Sequence, residues 1–125
     1  YYKNHSPVIF LGFKKNINQI YSNANIVVLP SYREGSPKSL IEASACGRAV
    51  VTTNVPGCRD VVISRHTGIL VKPKDIKSLV NGIDKLINNK NLRMILGKNG
   101  RLYAEKNFSI KLIVKKHIDI YRNLL

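Results

Sequence analysis

Two carboxylates, Glu34 and Glu42, bracket a stretch that reads Glu-Gly-Ser-Pro-Lys-Ser-Leu-Ile-Glu. Ser36 and Pro37 are placed to begin a helix, Ser36 as N-cap and Pro37 as first helical residue, where its missing N–H costs nothing. The amides of Lys38, Ser39 and Leu40 would then point outward with the positive end of the helix dipole. That makes an anion site, and a diphosphate is its natural occupant. Gly35 lets a ligand approach the backbone closely. Glu34 before the helix and Glu42 inside it flank the phosphate position, where carboxylates suit hydroxyl recognition: one for a sugar, one for a ribose. The same residues also admit a structural account, a bare helix start with Glu42 paired to Lys38 at i, i+4. Two carboxylates also serve glycoside hydrolysis, but no second-domain cleft accompanies these.

The elements that must hold this stretch are legible as apolar runs. Val8–Phe13, behind Pro7, reads as a strand buried on both faces. Lys15 to Asn23 reads as a short helix, and Ile26–Leu29 as a strand stopped by Pro30. A helix from about Pro37 to Cys46 follows, closed by Gly47, then strands at Ala49–Thr53 and Gly68–Val71. Alternating strands and helices imply a parallel sheet with crossover helices, and such sheets bind ligands at the carboxyl ends of their strands. The loop from Pro30 to Ser36 leaves one of those ends.

From Asp75 onward the pattern is helix only. Ile76, Leu79, Val80, Ile83, Leu86 and Ile87 form one stripe, broken at Asn88–Asn91. Leu92, Ile95, Leu96, Leu102 and Tyr103 mark a second helix that Gly97 and Gly100 weaken. Ser109 caps a third, whose apolar face is expected to pack back on the sheet. The expectation is therefore α/β: about four strands of a Rossmann-like, doubly wound sheet, with residues 75–125 as its helical C-terminal part. About six strands would be usual, and the chain begins at Tyr1 rather than Met, so a piece of a longer protein is expected.

Composition narrows the classes. With 125 residues one domain is expected, and 44% apolar content excludes an intrinsically disordered chain. No apolar run approaches the roughly 18–20 residues of a membrane helix, and no signal peptide is apparent. The 21 Lys and Arg against 7 Asp and Glu give a net charge of +14, which points to anionic partners. The lysines are nevertheless spread along the chain rather than gathered in a block, as on a solvated surface. Cys46 and Cys58 fit neither a disulfide framework nor a zinc site, so reduced thiols in a cytoplasmic protein are expected. Cys46 reads as packing, and Cys58, after a glycine in a loop, as a residue with the position for a reactive thiol. His5, His66 and His117 have no partners at ligand or relay spacing. Pro56-Gly57 reads mainly as a turn.

Glu34-Gly-Ser-Pro-Lys-Ser-Leu-Ile-Glu42-Ala-Ser-Ala-Cys-Gly47 resembles the E-x7-E motif of the retaining, GT-B-fold glycosyltransferases of family four. The continuation Arg48–Asp60 and Thr67–Val71 is similar to bacterial members that build polysaccharide, O-antigen or lipid-linked glycans. The resemblance runs from about Val8 to Pro73. It implies half of a GT-B C-terminal domain, binding a nucleotide-diphospho-sugar. It would place Glu34 at the donor-sugar hydroxyls, Glu42 at the ribose, and Gly35 and Ser36 against the sugar. The amides of Lys38, Ser39 and Leu40 would meet the diphosphate, and Gly12 and Phe13 the nucleobase. No cofactor and no metal are implied.

One departure matters. The family carries a basic pair, usually Arg and Lys, that neutralises the leaving diphosphate, and nothing here matches it. Neutralising that charge is the main electrostatic help available to the reaction, so this chain alone is expected to be inactive. The resemblance implies an acceptor-binding N-terminal domain and a glycan or lipid-linked acceptor, and the basic surface fits peripheral association with an anionic membrane on its cytoplasmic face. The rival is a non-catalytic basic α/β module for nucleotides or nucleic acid, and a third possibility is a degenerate gene product. Paired glutamates favour the first, because phosphate binding alone has no use for them.

Overall fold

The computed structural model describes residues 7–124. A parallel sheet of three strands, in the order β1 (Ile26–Leu29), β2 (Ala49–Thr53), β3 (Ile69–Val71), is its centre. Val27 pairs with Val50 and Val51 with Ile69. Every residue of β2 is buried, as a central parallel strand covered on both faces requires. Successive residues of β2 serve opposite faces. Val50 joins Leu40, Ala43, Cys58 and Val61 on one side; Ala49 and Val51 join Val71, Leu86 and Leu96 on the other.

The first side is covered by α2 (Lys38–Ala45) and the short α3 (Cys58–Val61), with α1 (Ile17–Asn23) supplying Tyr21 at the margin. The second is covered by α4 (Ile76–Ile87), whose N-cap Asp75 accepts the Ser78 amide at 3.0 Å. Next, α5 (Lys90–Phe108) crosses beneath the amino ends of the strands, bringing Leu92 and Leu96 to the second core and Phe108 to the first. Its two glycines explain the crossing. A Cβ on Gly97 would lie 2.2 Å from the Gly47 carbonyl oxygen, and one on Gly100 3.3 Å from that of Thr67. The residues that weaken the helix are those that let it touch the sheet.

Several expectations are corrected. The sheet has three strands, because residues 8–13 form no strand: Ile9 is 79% and Phe13 88% exposed. An apolar run makes a strand only where a neighbour offers backbone partners, and no described strand lies beyond β1. The break after α4 is shorter than Asn88–Asn91, since Asn89 caps α5 through the Leu92 amide at 2.9 Å. Ser109 does cap α6 (Ile110–Leu124), accepting from the Leu112 amide. That helix does not pack on the sheet, however. It buries no residue, leans chiefly on α5, and leaves Ile110 79% exposed.

Candidate functional site

The site is built where β1 and β2 end. Two threonines close β2 while fully buried, so their hydroxyls need partners. Thr52 Oγ1 donates to the Leu29 carbonyl at 2.8 Å, and Thr53 Oγ1 to that of Ser31. The loop leaving β1 is thereby fastened to the end of β2. Within it the Ser31 hydroxyl donates to Glu34 Oε1, which holds that half-buried carboxylate in place.

The loop leaving β2 closes the other side. Gly57, at φ +81, is the N-cap of α3, and its amide donates to the Asp60 carboxylate at 3.2 Å. Its Cα packs on the Glu34–Gly35 backbone so tightly that a Cβ would meet the Gly35 oxygen at 2.2 Å. Pro56-Gly57 is therefore more than a turn, and it joins the site. Gly35 itself faces open space.

The start of α2 differs by one residue from expectation. Pro37 occupies the N-cap with extended backbone, no side chain caps the helix, and Ser36 lies exposed in the loop. Proline's fixed φ serves there too. The Leu40 amide is not free: it donates to the Pro37 carbonyl at 3.0 Å, while the Leu40 side chain is wholly buried in the core. Lys38 and Ser39 keep amides with no hydrogen-bond partner among the described residues. Glu42 lies on the same helix, with Lys38 Nζ 3.7 Å from its Oε1 and a side chain 30% exposed. Tyr21 of α1 lies near it: burial pushes the phenol above its usual 10.0, and the Glu42 charge and Cys46 add to the rise.

Gly12 and Phe13 are not gathered here. Gly12 (φ +62) has nothing within 4 Å of where a Cβ would be, and Phe13 is among the most exposed side chains. Cys58 is fully buried at the start of α3, not in a loop, so its thiol is packing rather than a reactive group. Cys46 is half-buried at the end of α2. His66 and His117 are exposed, and His5 lies outside the described residues.

Comparison with known proteins decides the family. The family profile described as "Glycosyl transferases group 1" matches residues 2–103. The chain belongs to this glycosyltransferase family. Among its relatives is the capsular polysaccharide biosynthesis glycosyltransferase CapM of Staphylococcus aureus, 40% identical over 105 residues, 84% of this chain and 28% of CapM. The N,N'-diacetylbacillosaminyl-diphospho-undecaprenol alpha-1,3-N-acetylgalactosaminyltransferase of Campylobacter jejuni is 33% identical over 122 residues, 98% of this chain and 32% of that enzyme. HepE of Anabaena, crystallised with UDP and glucose, superposes with a TM-score of 0.89 at 25% identity, covering 93% of this chain and 32% of HepE. The α/β fold with its C-terminal helical extension is thus of the GT-B glycosyltransferase type. The chain spans about a third of the length of these proteins.

Proposed function

We propose that this chain is the donor-binding part of a retaining glycosyltransferase, which moves a sugar from a nucleotide-diphospho-sugar to a cell-surface glycan or lipid-linked acceptor. What supports it most is the open amino end of α2: the unpartnered Lys38 and Ser39 amides stand between Glu34 and Glu42, backed by Gly57. Two amides at the positive end of a helix dipole favour a diphosphate. Glu34 would accept hydroxyls of the donor sugar, with Gly35 and Ser36 against it, and Glu42 those of the ribose. Anabaena HepE was crystallised with UDP and glucose, and a uridine donor is proposed by that likeness.

On this reading the residues neutralising the leaving diphosphate are protein cations rather than a metal, and this sequence offers no counterpart of the family's basic pair. The chain alone then binds but does not catalyse. The Campylobacter jejuni relative is named for a diphospho-undecaprenol acceptor. A lipid-linked acceptor and a working position at the cytoplasmic face of an anionic membrane are proposed here too. No helix of the described residues is long and apolar enough to cross a membrane.

Calorimetric titration with UDP, GDP, a UDP-sugar and a short DNA duplex tests the proposal, with Glu42→Ala beside wild type. Saturable diphosphate binding that the substitution weakens by roughly 1–3 kcal/mol supports it. Binding to DNA alone, steeply salt-dependent and indifferent to Glu42, overturns it in favour of a basic binding module.

A further inference from the structure

The amino edge of the sheet carries a pocket of about 160 Å³. Arg48 lines it from the Gly47 turn before β2, and Lys90, Arg93 and Met94 line it from α5. From Ala49 to Thr53 the strand rises about 13 Å, so the pocket and the loop holding Glu34 stand at opposite ends of β2. Three cations meet here, and no acid is in the lining. Among the described residues only two ion pairs form, Lys38 with Glu42 and Arg101 with Glu105, so none of the three has a carboxylate partner. Both arginines are half-buried and are fixed by backbone carbonyls instead. Arg48 spends Nε and Nη1 on the carbonyls of Cys46, Ala24 and Ser22. Arg93 spends Nη1 on the last turn of α4, at 2.5 Å from the Leu86 oxygen and 2.8 Å from that of Ile87. Arg48 Nη2 and Arg93 Nε and Nη2 donate to nothing among the described residues.

We propose that this pocket is a second anion site, taking one phosphate group on Arg48, Arg93 and Lys90. Carbonyl dipoles orient a guanidinium without cancelling its charge, so the three cations repel one another across a small concavity. A dianion among them turns that repulsion into attraction, and the free guanidinium N–H groups supply charge-assisted hydrogen bonds. Because both arginines are already held, little ordering opposes binding. The volume is well below the roughly 300 Å³ at which pockets begin to hold drug-sized molecules, which suits a phosphate group rather than a whole nucleotide. The ligand is a phosphate dianion, free, on a small ester, or on a lipid headgroup. Its binding would tie the end of α1, through Arg48, to the α4–α5 corner, through Arg93. The inference stands apart from the proposed function and does not depend on it.

The test is calorimetric titration of the chain with inorganic phosphate and glycerol 3-phosphate, against chloride at matched ionic strength. Expected are saturable binding of both phosphates and a melting temperature that rises with phosphate but not with chloride. Lys90→Glu should weaken binding at least about tenfold. Lys90 is exposed in the first turn of α5, where an acid suits the helix dipole, so this variant should stay folded, as circular dichroism would check. Lys111→Glu, on exposed α6, makes the same change in net charge away from the pocket and should leave the affinity unchanged. Arg93→Lys keeps the charge but loses the planar fork, and should also weaken binding. No phosphate binding beyond that of chloride, indifference to Lys90→Glu, or an equal loss in both Glu variants each overturn the site. Sedimentation with phosphatidylcholine vesicles containing phosphatidate or phosphatidylglycerol separates the sources. A Lys90-dependent preference for phosphatidate assigns the lipid headgroup. Equal attachment to both vesicles, with soluble phosphate binding intact, assigns a soluble phosphate.

Discussion

Gly57 at the start of α3 rests directly on Gly35: a Cβ on Gly57 would lie 2.2 Å from the Gly35 carbonyl oxygen and 2.5 Å from that of Glu34. The loops leaving β1 and β2 are thus one unit, and the Glu34 carboxylate is positioned from both. Gly57→Ala meets two penalties, a left-handed φ of +81 and a backbone overlap no rotamer relieves. A loss of about 2–4 kcal/mol in denaturant unfolding is expected. Gly35→Ala is the control, since its Cβ would meet nothing within 4 Å. It should change stability by no more than about 0.5 kcal/mol. A fall in UDP affinity there reports on ligand approach alone.

A second prediction runs against helix propensity. Ala in place of Gly inside a helix ordinarily stabilises by about 1 kcal/mol. At Gly97 the Cβ would stand 2.2 Å from the Gly47 oxygen, where backbone meets backbone and neither can turn aside. Gly97→Ala should therefore lower the melting temperature. A rise would mean that α5 can lift from the Gly47 turn without loss.

The contrast shows which features could be read from sequence. Ile26–Leu29 and the α2 segment were legible because each is a local pattern ended by Pro30 or Gly47, and Ala49–Thr53, the Ser109 cap and the α4 stripe because each is likewise a local pattern. Residues 8–13 have an equally strandlike composition, but pairing is not a local property, and the sheet described ends at β1 without them. Apolar spacing likewise identified α6 but not what its stripe would face. Around the candidate site, the placement of Glu34, Glu42 and the amides of Lys38 and Ser39 about the start of α2 could be read from spacing. Gly57 and Tyr21 did not, because they arrive through tertiary contact. Thr52 and Thr53 carried a usable signal: two hydroxyls ending a buried strand must bond something across the sheet edge.

Arg48 gives a third prediction. Its Nε donates to the Cys46 carbonyl at 2.9 Å, and its Nη1 to those of Ala24 at 3.1 Å and Ser22 at 3.3 Å. One guanidinium thereby ties the end of α1 to the turn before β2, opposite the site. Arg48→Ala leaves three carbonyls without that donor and should cost about 1.5–3 kcal/mol of unfolding free energy. Arg48→Lys should recover only part, because a single ammonium cannot reproduce the planar fork. Equal stability of Lys and Arg variants would argue that one of the three bonds carries the whole effect.

Tyr21 provides a pH-dependent prediction. Burial raises its phenol above the usual 10.0, and the Glu42 and Cys46 charges raise it further. The folded chain thus holds the phenolic proton at a pH where the unfolded chain has released it. Above pH 10 the unfolded state binds fewer protons, so stability falls with rising pH. The contribution is fully present below that pH and is lost as pH climbs through the raised folded value. Tyr21→Phe should flatten the alkaline fall in denaturant unfolding. Glu42→Gln should leave burial unchanged but remove one charge, moving the late tyrosinate absorbance transition to lower pH. If Glu42→Gln leaves that transition where it was, Tyr21 and Glu42 are too far apart in solution to interact. The margin of the α2 site would then be more open than the structure shows.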